Sequence, residues 1–330
     1  ILKNFLEKIC LSKLAKHTIS VDEIIRSIRL EVGKGKVICA VSGGVDSTVT
    51  AVLIGKAIGK RLIPIYVDSG LMREGTRNEV INIFTKTLKV TARIIDARSL
   101  FIKELKGVKD AEGKRKQIGK LYIKLFEKEC EKIKGITHLA QGTIYSDVIE
   151  SKGTKKADKI KSHHNVGGLP KRLKLKLIEP LRSFYKDEVR AIGRMLKLPS
   201  YVVNKQVFPG PGHAIRIVGE VTKERLTMQQ RADAIVMDEI IKSGLYNKVY
   251  MSFSIMTNTV STAVKGDERK LLEVVAVRVI ESKDIMTTDW YKLPYEIMQK
   301  ISSRIVNEVP NVSRVVYDIT TKPPATMEWE

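Results

Sequence analysis

The segment Val37–Thr48, VICAVSGGVDST, combines the residue types needed to bind a phosphate. Val37, Ile38, Ala40 and Val41, with Cys39 among them, read as a short buried parallel strand. Ser42-Gly43-Gly44 is then a turn, and Val45, Asp46, Ser47 and Thr48 begin a helix. Two glycines open backbone conformations closed to other residues and clear space for a ligand beside the main chain. The N–H groups of such a turn and of the first helical turn lack intrahelical partners, which suits an anion. Asp46 is then placed to hold a hard cation such as Mg²⁺ against phosphate oxygens. Bare Gly-Gly after a strand is an ordinary connection, so the whole S-G-G-x-D-S string carries the specificity. No Lys follows the second glycine, which separates it from the P-loop, and it is not G-x-G-x-x-G.

Such a loop requires strands that end together. RLIPIYVDSG, VTARIIDA (90–97) and ITHLAQGTIYSD (136–147) read as three more strands, and helices are expected over Thr48–Ile58, Glu74–Leu88, Lys114–Lys132 and Lys186–Leu196. Strands alternating with helices imply right-handed crossovers and a parallel sheet. Ligands then bind beyond the carboxyl ends of the strands. Ser42-Gly43-Gly44, Asp68-Ser69-Gly70, Asp96 and Gln141-Gly142-Thr143 are expected on one cleft. Residues 1–32 read as helix, and 151–176 as a basic lid with nine Lys or Arg against Asp158 alone.

The division expected is residues 1–203 as a nucleotide domain and 204–330 as a small α+β domain. The second opens on FPGPG and continues with a strand HAIRIVG, a helix Thr222–Ser243, a strand LLEVVAVRVIES, a helix Tyr295–Glu308 and a strand SRVVYDIT. Its tail, TTKPPATMEWE, either covers a sheet edge or completes a site.

Composition narrows the classes. A chain of 330 residues with 43% hydrophobic residues buries a sizeable core. Cys10, Cys39 and Cys130 are too far apart for a disulfide framework or a metal knuckle and suit a reducing, cytoplasmic setting. No apolar run approaches the roughly 20 residues of a membrane span, so no membrane association is expected. The net charge of +22 fits steering of nucleotides together with a lysine-rich surface. With 6% aromatic residues and dispersed basic ones, a nucleic-acid partner is not expected.

The loop resembles that of the ATP pyrophosphatases, and the rest of the chain narrows this to the GMP synthetases. The strings that carry the resemblance are SGGVDST (42–48), YVDSGLMREG (66–75), KRKQIG (114–119), QGTIYSDVIES (141–151), IKSHHNVGGLP (160–170), LIEPL with KDEVR (177–181, 186–190), FPGPG with AIRIVGE (208–220), and RVVYDIT with KPPATMEWE (314–330). The resemblance implies an adenine-nucleotide alpha-hydrolase-like, N-type ATP pyrophosphatase domain followed by an α+β dimerisation domain. It implies adenylation of XMP at O2 by ATP with Mg²⁺, release of pyrophosphate, and displacement of AMP by ammonia to give GMP.

By that resemblance Ser42, Gly43, Gly44, Val45, Asp46, Ser47, Thr48, Val67, Gly142 and Lys186 bind ATP, and Asp46 and Asp187 hold the metal. Asp46, Lys161, His163, His164, Lys186 and Asp187 serve the chemical step, with Asn165 in the lid and Asp147 near the α-phosphate. Arg115, Lys322, Thr326, Met327 and Glu328 bind XMP, Arg115 as a partner for its phosphate and Glu328 as an acceptor from purine or ribose. A homodimer is implied. No cysteine stands in a nucleophile context, so the expectation is a synthetase subunit fed by free ammonia or by a separate glutamine amidotransferase subunit.

Two departures stand out. His213 occupies a position where the family usually has Leu, and is expected to be surface packing; Leu271-Leu272 replaces the usual Tyr-Asp near KGDER (265–269). An NAD synthetase or a tRNA-thiolating enzyme shares the loop class, and a basic RNA-binding protein with a decayed nucleotide fold is the alternative outside enzymes. The intact loop and tail, and the absence of paired cysteines, favour the GMP synthetase reading.

Overall fold

The computed structural model of the chain describes residues 19–152, 175–265, 267–282 and 286–330. Residues 1–18 of the helix expected over 1–32, and most of the expected lid, with Lys161, His163, His164 and Asn165, lie outside the described residues.

The first part is a parallel sheet of order β3-β2-β1-β4-β5, built from β1 (Lys36–Ala40), β2 (Leu62–Asp68), β3 (Arg93–Asp96), β4 (Ile136–Ala140) and β5 (Lys176–Ile178). β1 is central: Val37 pairs with Leu62 on one side and with His138 on the other. Its side chains alternate between faces. Val37 and Cys39 pack with α2 (Val45–Ile58), while Ile38 packs with Phe126 and Cys130 of α5 (Ala111–Glu131). Burial raises the thiols of Cys39 and Cys130 to about 12 and leaves both inert.

Helix boundaries follow local chemistry. α1 (Val21–Val32) starts where the Ser20 hydroxyl accepts from the Glu23 N–H and stops at Gly33, φ 56°. α3 (Thr76–Ile83) runs into a π turn, Phe84–Leu88, so the expected single helix changes pitch there. A short helix, α4 (Arg98–Glu104), was not expected. The strand expected over 136–147 ends at Ala140. The Ile144 N–H donates to Asp147 Oδ2 at 2.9 Å and opens α6 (Tyr145–Lys152) instead. α7 (Lys186–Met195) and α8 (Ser200–Val203) complete this part.

The second part holds α9 (Lys223–Lys242), β6 (Met251–Lys265), β7 (Glu268–Glu281), β8 (Asp289–Trp290), α10 (Tyr295–Glu308) and β9 (Val312–Tyr317). β6 and β7 form an antiparallel hairpin, and β9 lies parallel to β7. HAIRIVG is not a strand. Gly212–Arg216 is a 3₁₀ turn, and only Ile217 bridges to Met256. The cause is a close approach: the His213 N–H donates to Leu71 O at 2.7 Å, and a Cβ on Gly212 would lie 2.2 Å from that oxygen. His213 is therefore buried rather than on the surface, with its ring edge-on to Phe208 at 5.1 Å. One apolar cluster joins Leu71, Phe101 and Leu121 to Ile217, Val236 and Val277, so a shared core spans residue 203.

Candidate active site

The phosphate loop lies at the carboxyl end of β1. Gly43 takes φ +79°, and its face turns to α3, where an added Cβ would meet Thr76 Cγ2 at 2.9 Å. Ser47 Oγ accepts from the Ser42 N–H and donates to Gly44 O, both at 3.2 Å, which ties the turn to the helix it precedes. α1, α5 and α9 each receive a side-chain cap from Ser20, Asp110 and Thr222. α2 has Gly44 at its N-cap and no such bond. A helix start without a side-chain cap leaves its first N–H groups available to an anion.

Two further elements converge on this helix start. Lys186, the first residue of α7, donates from Nζ to Asp46 Oδ2 at 2.6 Å, with both side chains partly exposed. Asp46 Oδ1 is buried and has no hydrogen-bond partner. Gly142, after β4, presses on the same turn: a Cβ there would lie 3.0 Å from Asp46 C and from Ser47 N. One strand end, one loop and one helix N-terminus therefore fix Asp46 together. Asp187 follows Lys186 and is exposed. Among the described residues no group of three or more His, Cys, Asp or Glu side chains is placed to hold a metal ion. The orphaned oxygen of Asp46 fits a divalent cation whose other ligands are phosphate oxygens and water, as Mg²⁺ prefers.

Beside this loop, β2 ends in a turn in which Asp68 Oδ1 accepts from the Gly70 N–H at 3.1 Å, next to buried Val67. Arg77 and Arg98 lie 3.5 and 3.9 Å from Asp68 Oδ2. The hydrogen bond from Arg98 holds the Asp96 carboxyl below the usual carboxylate range. Asp147 Oδ2 accepts from the Ile144 N–H at the start of α6.

Sequence reasoning missed Lys205. Its Nζ donates to Gly43 O at 3.3 Å and to Glu79 Oε2 at 2.6 Å, reaching the phosphate loop from beyond α8. The signal in the sequence was only one lysine among 59 basic residues.

The tail is drawn inward by buried cations. Arg278 of β7, 1% exposed, donates to the main-chain oxygens of Thr320, Thr326 and Met327 and pairs with Asp318. Arg216, fully buried between Phe208 and Phe253, donates from Nε and Nη2 to the two Glu328 carboxylate oxygens at 2.9 and 3.0 Å. The Glu328 carboxylate, expected to meet purine or ribose, is thus engaged with Arg216. Arg115 Nη2 likewise donates to Glu330 O at 2.5 Å, and Lys114 Nζ to Glu330 Oε2 at 3.2 Å. Lys322 pairs through its main chain with Thr288. Arg115, Thr326, Met327 and Glu328 come together around the tail, whereas Asp46, Gly142 and Lys186 come together at the phosphate loop. From the tail an ionic chain runs back through Arg216, which lies 3.5 Å from buried Asp233, to Arg73 in the loop after β2, which pairs with Asp233 at 2.7 Å.

The fold is thus a five-stranded parallel α/β sheet of order β3-β2-β1-β4-β5 with an S-G-G-x-D-S loop at its carboxyl edge, followed by a smaller mixed sheet. Solved structures similar to it include an NH3-dependent NAD synthetase from Campylobacter jejuni (TM-score 0.43, 16% identity, 56% of this chain and 75% of that one). Another is an NMN synthetase from Francisella tularensis (TM-score 0.45, 15% identity, 64% and 82%). Residues 238–329 match the GMP synthase C terminal domain. Over 100% of its length the chain is 51% identical to a glutamine-hydrolyzing GMP synthase of Carboxydothermus hydrogenoformans and 50% identical to one of Clostridium botulinum. The chain spans 65% and 64% of the length of those two relatives, less than two thirds of each.

Proposed function

We propose that this chain performs the synthetase chemistry of GMP formation: adenylation of XMP at O2 by ATP with loss of pyrophosphate, then exchange of AMP for ammonia. The observation that carries the reading is Asp46, set in an uncapped helix start with one oxygen on Lys186 and the other without a partner. On this reading the first-turn N–H groups of α2 and the Lys186 ammonium take the β- and γ-phosphates and neutralise the departing pyrophosphate. Asp46, with Asp187 nearby in sequence, would hold Mg²⁺, which supplies further charge neutralisation on the phosphates when bound. Val67 and Asp68-Ser69-Gly70 would pack adenine. Gly142 keeps its loop close enough to fix Asp46 against the reacting phosphate. Lys161, His163 and His164, outside the described residues, would serve the chemical step.

Residues 1–203 would carry ATP and residues 204–330 the grip on XMP, through Lys322, Thr326, Met327, Glu328 and Arg115. Glu328 would act through the geometry Arg216 gives it. Homodimerisation is part of the proposal. Val260, Val264 and Leu271 are exposed on one face of the β6–β7 hairpin, an apolar face of the kind a second copy would cover. The ammonia would come from glutamine, which the two relatives are named as hydrolysing.

The test is direct. Incubation with ATP, Mg²⁺, XMP and ammonium should yield GMP, AMP and pyrophosphate together. ATP consumption that does not depend on XMP would overturn the reading.

A further inference from the structure

Each flank of the phosphate loop carries a lysine resting on a carboxylate. On the β4 flank Lys186 rests on Asp46 at 2.6 Å; on the α3 flank Lys205 rests on Glu79 at 2.6 Å and donates to Gly43 O at 3.3 Å. The second pair lies in a constrained place. Lys205 is 18% exposed in its side chain, Glu79 is 37% exposed, and Gly43 has α3 against its Cβ position, so the ammonium sits between the helix and the turn. The backbone behind it is pinned. Gln206, 5% exposed, accepts from the Ser252 N–H and hydroxyl with Oε1, donates from Nε2 to Tyr246 O, and donates from its own backbone N–H to Tyr246 Oη. Arg190 donates to Lys205 O at 3.4 Å. The lysine therefore projects from a fixed point on the second part of the chain onto the loop of the first.

We infer that Lys205 is a second phosphate-directed cation, which exchanges Glu79 for the β,γ-phosphates of ATP and so ties the leaving pyrophosphate to the segment joining the two parts of the chain. The inference rests on the nucleotide reading of the loop and extends it to a residue that no family string above includes. Its physical basis is charge. A triphosphate or pyrophosphate with its metal offers several anionic oxygens beside Gly43, against a single carboxylate on Glu79. A lysine ammonium is a compact charge on a flexible stem, able to change partner without moving its backbone. Charge-assisted hydrogen bonds of this kind are roughly twice as strong as neutral ones.

The experiment is calorimetric titration of the full chain with ATP and with pyrophosphate in the presence of Mg²⁺, AMP serving as the control that lacks β- and γ-phosphates. Lys205→Ala should weaken pyrophosphate and ATP by about tenfold or more, leave AMP within about twofold, and be restored by Lys205→Arg. Glu79→Gln, which removes the competing carboxylate, should leave pyrophosphate affinity unchanged or tighten it a few-fold. A structural ion pair predicts something else: Lys205→Ala and Glu79→Gln would then lose affinity together, and AMP would fall with ATP. Either that pattern or unchanged pyrophosphate affinity in Lys205→Ala overturns the inference. Failure of the unaltered chain to bind ATP at all would overturn the nucleotide reading itself, a result distinct from both.

Discussion

Acidification should destabilise this chain through His213, and the size of the effect can be worked from its surroundings. The ring is buried, edge-on to Phe208, with the Gln229 amide 3.5 Å from Nδ1. Burial lowers its pKa from 6.5 to about 3; Asp233 opposes the shift, while Arg216 and Arg73 reinforce it. In the unfolded chain a histidine titrates near about 6.5. A group whose pKa is depressed by folding contributes stability that is complete above its unfolded pKa and is lost as pH falls toward the folded value. Between pH 7.5 and 4.5 the loss accumulates to about 2.7 kcal/mol, its slope approaching about 1.4 kcal/mol per unit below pH 6.5. That is a large share of the roughly 5–15 kcal/mol that holds a typical domain together. Asp233 does not confuse the window: despite desolvation, Arg73, His213 and Arg216 hold its pKa below 3.8, so its contribution is lost only at lower pH. Urea unfolding of the chain and of His213→Leu, followed by circular dichroism from pH 7.5 to 4.5, isolates the histidine. The stability difference between the two proteins should shift by about 2–3 kcal/mol in favour of the leucine variant across that range. Two curves that fall in parallel would refute the argument.

Three further outcomes are expected. Gly142→Ala places a methyl 3.0 Å from the backbone of Asp46 and Ser47, so the loop must move; XMP-dependent pyrophosphate release should fall about 10- to 100-fold with little loss of stability. Asp46→Ala should abolish XMP-dependent AMP formation while the circular dichroism spectrum is retained, and near-normal turnover would remove Asp46 from the metal role. Arg278→Met leaves Asp318 and three tail carbonyls without their shared donor; urea unfolding should show a loss of about 3–5 kcal/mol, with KM for XMP rising more than KM for ATP.

The parallel half of the fold was legible because its signals are local. Buried β-branched runs, glycine stops and capping residues placed β1, β2, α2 and α7 within a residue or three, and α10 was read as Tyr295–Glu308. β6 was hidden by its polar residues. Ser252 and Ser254 look like solvent-facing positions, yet both are fully buried because Gln206 and Gln229 supply their hydrogen bonds from distant segments. HAIRIVG has the composition of a strand, and only the approach of Gly212 to Leu71 O makes it a 3₁₀ turn. The phosphate loop was legible for the same local reason, since one string carries the turn, the helix start and the carboxylate. The partners of that carboxylate were not all legible. Lys186 came with a family string, whereas Lys205 is identified only by where the chain returns in space. Arg216 and Arg278 are likewise invisible as tail anchors, because long-range pairing of a basic residue leaves no periodicity behind.

The shared core has a consequence for how the protein is made. Leu71, Phe101 and Leu121 are packed against Ile217, Val236, Val277 and Val312. During synthesis the earlier residues emerge well before the later ones exist. The half-made chain thus carries an uncovered apolar face from the time its first sheet forms until β9 has been added. Protection by a chaperone, or a slow final stage of synthesis, matters most in that interval, when the exposed surface invites association between nascent chains. A pause introduced between residues 200 and 310 should therefore lower the yield of soluble protein more than the same pause placed before residue 60.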